Sequence, residues 1–388
     1  MTGSSALPQY IGPYVVERSL GAGGMGEVYL AYSVAGEPVA VKVIRPDRTD
    51  PHTRARFERE ATIARTISGT GRVARFLDAD PFAELPWLAM DYIPGRTLVD
   101  VVKNQGVLAA SLVASLGALL AEGLAAVHAT GLVHRDLKAS NIILGDFGPV
   151  IIDFGLGAFL DASKGSLSRA GTVLGTVRCM PPEQARGETD VTAAADVYGL
   201  GTALLYAATG HYPYDGSRWE AIAIQVVNPD MEPDLSGLPA ELTPVVASML
   251  AFEPGDRPSL EQVTRQCADL LRSLGMSPAR ARRALIQSTT PADRATLVFP
   301  QPDARMLDRI DSLEQLLREH ADSERRGGPA PTDADDEHSV PEALVSEREP
   351  VKAPSPAAKP GRPPASRRVA GELRERYARG SQLAWSKR

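Results

Sequence analysis

The chain has 388 residues, 43% of them hydrophobic and 23% charged, with a formal net charge of −6. That apolar share excludes wholesale disorder, and the acidic balance removes any global pull toward nucleic acid. Two cysteines, Cys179 and Cys267, stand far apart without a C-x-x-C or Cys/His grouping, which argues against a disulfide framework or a zinc site. The N-terminus lacks the basic start and apolar run of a signal peptide, and no stretch reaches the ~18 uninterrupted apolar residues that span a bilayer. The expectation is a protein of the reducing cytoplasm without a transmembrane segment.

Tyr14 to Leu20 and Gly26 to Tyr32 read as β-strands around the glycine-rich turn Gly21-Ala22-Gly23-Gly24-Met25-Gly26. Gly21, Gly23 and Gly26, with Glu27 and Val28 following, fit G-x-G-x-x-G-x-V, and without side chains the backbone amides can approach phosphate oxygens. Taken alone, the motif also suits a plain turn or a dinucleotide fingerprint. The fingerprint needs a helix directly after Gly26, where this chain has a strand pattern instead. Val39 to Ile44 is a further strand carrying one charge, Lys42, whose plain reading is a snorkelling strand lysine. Asp50 to Ser68 has the marks of a helix: Asp50 as N-cap, Pro51 at the first position, and Phe57, Ala61 and Ala64 at helical spacing, with Glu60 beside that stripe. Val73 to Asp78 and Pro86 to Tyr92 are strands.

Leu108 to Thr130, stopped by Gly131, is apolar on nearly all sides, as a buried helix should be. The stretch from His134 to Gly155 then places Asp136 and Lys138 in a polar loop, Asn141 five residues after Asp136, and a hairpin of Ile142–Leu144 and Val150–Ile152 turned at Gly145-Asp146. The hairpin sets Asn141 beside Asp153, and two such oxygen-bearing side chains suit Mg²⁺, which takes few protein ligands alongside substrate phosphates. Thr192 to Thr209 is a second buried helix, stopped by Gly210, with Asp196 near its start, where a carboxylate suits the helix dipole. Ser259 caps a last helix to about Arg272. Beyond Gly275, prolines, alanines and charges dominate; 322–349 is acidic and 352–388 basic, which reads as a mostly disordered tail. Within it, Met306, Ile310, Leu313 and Leu317 are spaced 4-3-4, predicting a short amphipathic helix over about 303–320.

His134-Arg135-Asp136 and Asp153-Phe154-Gly155, in this order and spacing, resemble the protein-kinase signature. Residues 14–274 resemble the serine/threonine protein kinases, specifically the eukaryotic-like (Hanks-type) kinases of actinobacteria. The resemblance implies an α+β bilobal fold: an N-terminal arm over 1–13, a small β-sheet lobe with its αC helix over about 14–93, a larger, mainly helical lobe over about 94–274, and the tail over 275–388. It implies Mg²⁺ and ATP as cofactors, with Mn²⁺ as the alternative ion, and transfer of the γ-phosphate to Ser/Thr hydroxyls of proteins. Asp136 would accept the substrate proton, Lys138 steady the phosphoryl group, Asn141 and Asp153 hold the metal, and Glu60 pair with Lys42 against the α and β phosphates. Thr176 would bond between Asp136 and Lys138, as in the Ser/Thr branch.

By the same resemblance Leu20, Val28, Ala40 and Ile143 sandwich adenine, Met90 is the gatekeeper, and the backbones of Asp91 and Ile93 read the adenine edge. Glu183, in Met180-Pro181-Pro182-Glu183, would meet Arg257 as a buried pair, and Asp196 would hold the catalytic-loop backbone. Arg135 calls for an anion, and candidate autophosphorylation sites are Thr172, Ser168 and Ser166, since Ala170 occupies the position six residues before Thr176 where relatives often carry the phosphothreonine. Two further departures are Ala139 for the proline after the catalytic lysine and Asp91 for the hinge glutamate. The rivals are a pseudokinase scaffold, which usually lacks one of the groups that Lys42, Asp136 and Asp153 supply here, and a small-molecule phosphotransferase, which generally lacks the Pro-Glu segment. Protein substrates are the implied partners, a transient homodimer is a further expectation, and the basic end of the tail could meet an acidic partner or a membrane surface.

Overall fold

The computed structural model describes residues 7–23, 26–44, 51–67, 71–153, 176–188, 190–290 and 299–326. Alternating β-branched and aromatic residues build Tyr14–Ala22 (β2), Gly26–Tyr32 (β3) and Pro38–Ile44 (β4). Tyr10–Ile11 (β1) adds at one edge, and Phe76–Asp80 (β5) and Trp87–Asp91 (β6) at the other, giving an antiparallel sheet in the order β1-β2-β3-β4-β6-β5. The β3–β4 register runs unbroken from Gly26↔Ile44 to Tyr32↔Pro38. Val28, Leu30 and Tyr32 therefore share a face with Lys42, Ala40 and Pro38. That face meets the helix Pro51–Ala64 (α1) at Ala61, while Tyr14, Val16, Tyr29, Val41 and Trp87 cluster on the opposite one.

A second, three-stranded sheet joins Arg96–Thr97 (β7), Ile142–Gly145 (β8) and Gly148–Ile151 (β9). Around it lie Leu98–Gln105 (α2), Ala110–His128 (α3), Pro182–Ala185 (α4), Ala194–Thr209 (α5), Trp219–Val227 (α6), Thr243–Met249 (α7) and Leu260–Ser273 (α8). The helix α5 is buried from Ala195 to Ala208, and Gly210 ends it in the left-handed conformation at φ 80°. Ser259 and Gln262 form a capping box at the start of α8. By length and composition α3 could cross a membrane, but its side chains Leu116, Leu120 and Leu124 lie in the large-lobe core with Leu204 and Cys267.

The large lobe does not end at 274. Ser277 caps a further helix, Pro278–Thr289 (α9), whose Ala281 and Leu285 enter the same core and whose Arg282 donates to the Phe147 carbonyl at 3.2 Å. Its buried stripe is small, Ala281, Leu285 and Thr289 among arginines, and composition alone assigned it to the tail. The helix expected over about 303–320 runs instead from Ala304 to Arg326 (α10) and docks on the small lobe.

Candidate active site

The loop between α3 and β8 is held from below by one carboxylate. Asp196, 1% exposed at the start of α5, accepts from the backbone N–H of His134 and of Arg135, both at 2.8 Å, and lies 2.7 Å from His128 Nε2. Those bonds support Arg135 at φ 63°, left-handed backbone that costs a non-glycine residue about 1–3 kcal/mol. Gln184 of α4 donates to the Arg135 carbonyl at 3.0 Å. Behind the loop, a Cβ at Gly199 of α5 would stand 2.6 Å from the Leu137 carbonyl oxygen, so α5 packs its backbone directly against the segment between Asp136 and Lys138.

Lys138 is the hub of the polar cluster. Its Nζ donates to both oxygens of Asp136, at 2.9 and 2.8 Å, and to Thr176 Oγ1 at 3.0 Å. Burial works against its charge, but the Asp136 carboxylate outweighs that and raises its pKa above the ordinary lysine value. Asn141 Nδ2 donates to the Asp136 carbonyl at 2.9 Å, and the Asn141 carbonyl accepts from Ile152 N–H at 2.9 Å, which sets the asparagine beside the end of β9. His134 accepts the Asp136 N–H on Nδ1 at 3.3 Å, so its Nε2 carries the proton that it donates to the Ile152 carbonyl at 3.0 Å.

Asp153, also left-handed at φ 61°, receives Lys42 Nζ on Oδ2 at 2.7 Å. Burial pushes its carboxyl up, but the ion pair with Lys42, reinforced by Lys138 and His134, holds it below the usual carboxylate range. This corrects the expected pairing: Lys42 engages Asp153, and half-buried Glu60 stands on α1 without being its partner.

The residues expected around adenine gather unevenly. Ala40 and Met90 are buried in one cluster with Val150, and Val28 and Ile93 pack against it. Ile143 pairs with Thr97 across β7–β8, and Leu20 is 37% exposed. Asp91 holds its carboxylate to Arg75 at 3.1 Å. Gly21, Ala22, Gly23, Gly26 and Glu27 form the ends of β2 and β3, where Gly23 N–H meets the Gly26 carbonyl at 2.8 Å. A Cβ at Gly26 would fall 1.8 Å from the Val43 carbonyl oxygen, so only glycine fits. Gly24, Met25, Ser166, Ser168 and Thr172 lie outside the described residues. The expected pair Glu183–Arg257 is formed, bidentate, at 2.7 and 2.8 Å.

The family described as protein kinase domain matches residues 14–267 of this sequence. The chain belongs to the protein kinase family. Among curated relatives it is 41% identical to the serine/threonine-protein kinase AfsK of Streptomyces coelicolor, over 69% of this chain and 33% of that one. It is 44% identical to the probable serine/threonine-protein kinase PkwA of Thermomonospora curvata, over 67% and 34%, and 33% identical to PknB of Mycobacterium tuberculosis, over 81% and 51%. The chain thus spans about a third to a half of the length of these curated relatives. The crystal structure of the Mycobacterium tuberculosis PknI kinase domain superposes with a TM-score of 0.54 at 27% identity, covering 69% of this chain and 99% of that one. Rad53 in complex with AMP-PNP, at 21% identity and a TM-score of 0.54, shares the fold.

Three residues of this site went unmarked in the sequence: His128, Gln184 and Gly199. Gly199 had a signal, since two glycines, Gly199 and Gly201, inside one helix cost about 1 kcal/mol each against alanine and call for a packing reason. His128 and Gln184 had none, because each acts through a partner distant in sequence.

Proposed function

We propose that the protein transfers the γ-phosphate of Mg-ATP to serine or threonine hydroxyls of proteins, and that it phosphorylates its own segment at Thr172, Ser168 or Ser166. The observation that carries this reading is Lys138 bonded at once to both oxygens of Asp136 and to Thr176. In that cluster Asp136 orients the substrate hydroxyl and accepts its proton, and Lys138, charged through the physiological range, neutralises charge on the phosphoryl oxygens. Serine/threonine specificity is supported by the names of the relatives and by the lysine two residues after the base.

The donor set fits magnesium. Among the described residues no cluster of three or more His, Cys, Asp or Glu side chains is assembled to hold a metal by itself. The oxygens that would hold the ion are Asn141 Oδ1, whose amide nitrogen is already committed to Asp136, and the Asp153 carboxylate. Few protein oxygens with substrate phosphates completing the shell is how Mg²⁺ binds, and the ion would neutralise charge on the transferring phosphate. Lys42 occupies Asp153 Oδ2, and its ammonium at that position would help to neutralise the phosphates of a bound nucleotide. The free buried thiols Cys179 and Cys267 suit a reducing compartment, which supports a cytoplasmic location.

The test is to incubate the protein with ATP, Mg²⁺ and a generic protein substrate, and map phosphosites on both chains. Transfer to Ser/Thr is expected. Nucleotide binding without transfer to any hydroxyl would favour the scaffold reading.

A further inference from the structure

The cleft face of the small-lobe sheet is covered in two parts. At Val28 and Ala40 it looks onto Met90, Ala61 of α1 and Val150 of the large lobe. Two residues along β3 Leu30 is fully buried, and two further Tyr32 packs with Val15 against Met306, Ile310 and Leu313 of α10. Arg309 of α10 donates Nη2 to the Gln9 carbonyl at 2.7 Å and Nη1 to the Val16 carbonyl at 3.0 Å, with its guanidinium 5.9 Å from the Tyr10 ring. Tyr32 Oη donates to Glu17 at 2.5 Å. One helix thus grips side chains of β2 and β3 and two backbone carbonyls at the hinge end of the sheet.

The other end of β2 is different. The strand is buried through Val16, exposed from Arg18 onward, and breaks register with β3 twice, between Val16 and Arg18 and between Ser19 and Gly21. In contrast, β3 runs without a break beside β4. Gly21 and Gly23 therefore sit at the exposed end of β2, whose other end is under α10, while Gly26 is held against β4.

We infer that α10 is a positioning element of the nucleotide-binding lobe: by clamping Val15, Val16 and Tyr32 it sets how β2 carries Gly21 and Gly23 beside the ATP phosphates. The inference rests on the kinase reading above. Coupling through a continuous strand is a physical route between two sites, and such couplings typically amount to about fivefold or more in affinity. The α10 clamp acts on ATP, leaving the chemistry of Asp136 and Lys138 untouched.

The experiment uses the full chain with Arg309→Ala, Arg309→Lys and Ile310→Asp. ATP binding is measured by calorimetry, KM for ATP and kcat by steady-state phosphorylation of a generic protein substrate, and release of α10 by amide hydrogen exchange over 304–319. Arg309→Ala is expected to raise both Kd and KM for ATP by about fivefold or more, with kcat at saturating ATP within about twofold. Arg309→Lys, which keeps the charge and part of the donor set, should recover some of that loss, and Ile310→Asp should add exchange across α10. Unchanged Kd and KM in Arg309→Ala overturn the inference, as does a fall in kcat that merely tracks the folded fraction. A halving of solution mass when α10 is released would assign the contact to a second copy and overturn the intrachain clamp. Should Ile310→Asp fail to fold, Arg309→Ala removes no core methyl group and decides alone. Wild-type protein that binds no ATP would instead defeat the kinase reading.

Discussion

Removing one partner of the Glu183–Arg257 pair should unfold the large lobe more readily than any exposed ion-pair substitution. Arg257 has no side-chain exposure and Glu183 4%. The five guanidinium N–H groups all have acceptors: both Glu183 oxygens, the carbonyls of Ala251 at 2.9 Å, Ala194 at 3.1 Å and Phe252 at 3.0 Å, with the Tyr198 ring 5.0 Å away. Glu183→Ala leaves a charged, carbonyl-bound guanidinium without its counter-ion in a dry site, a loss of about 3–5 kcal/mol. For a domain of this size that is a fall of about 10 °C in Tm. Arg257→Met should cost a similar amount, and the double variant Glu183→Leu/Arg257→Met less than the two singles together, because no unpaired charge remains. Urea unfolding followed by far-UV circular dichroism measures all three. A loss under about 1 kcal/mol in Glu183→Ala, or strict additivity in the double, would refute the reasoning.

Asp136→Asn and Lys42→Met should lower phosphoryl transfer per folded molecule by orders of magnitude in the standard kinase assay, and because each strands a largely buried partner, Lys138 or Asp153, the unfolding midpoint should fall as well; activity lost only in proportion to the folded fraction would refute the assigned roles. Gly199→Ala should drive the Leu137 carbonyl away from its 2.6 Å approach, lowering kcat at least tenfold while KM for ATP holds; unaltered kcat would show that the loop absorbs a methyl group there. Asp78 is 3% exposed, and burial lifts its carboxyl from 3.8 to about 6 despite the Arg65 guanidinium at 2.7 Å and the Ala79 N–H at 2.8 Å, with Asp80 adding to the lift. The folded state holds this proton more tightly than the unfolded chain, so the stability contributed by the group is full below about pH 4 and is lost as pH rises through about 6. The unfolding free energy of Asp78→Asn relative to the parent should therefore rise by on the order of 2–3 kcal/mol between pH 4 and pH 7, and a flat difference would contradict the assigned shift.

What could be read from the sequence was local. His134 to Asp153 announces its chemistry because loop, hairpin and acids lie within twenty residues, and the strands around Gly21–Gly26 follow from alternation between glycines. The choice of Lys42 between Glu60 and Asp153 was not legible, because it depends on where α1 sits against the large lobe. The helix α9 was hidden because its buried side is a few small residues in an arginine-rich segment, which composition reads as tail. The 4-3-4 spacing of Met306, Ile310, Leu313 and Leu317 did reveal α10, but a stripe says that a helix wants a partner without saying which. Val15 and Tyr32, almost 300 residues earlier, are inconspicuous in sequence.

Both native thiols are chemically quiet. Burial pushes Cys179 up to about 11 and Cys267 up to about 12, so at neutral pH neither supplies appreciable thiolate to an electrophile while the fold holds. The folded chain is in effect a cysteine-free background with two internal alarms. A single exposed cysteine placed at Ser312, on the solvent side of α10, would take a fluorophore alone and report the helix leaving the small lobe. Reaction of Cys267, which lies within the large-lobe core, in the same sample would mark the moment at which that core itself opens.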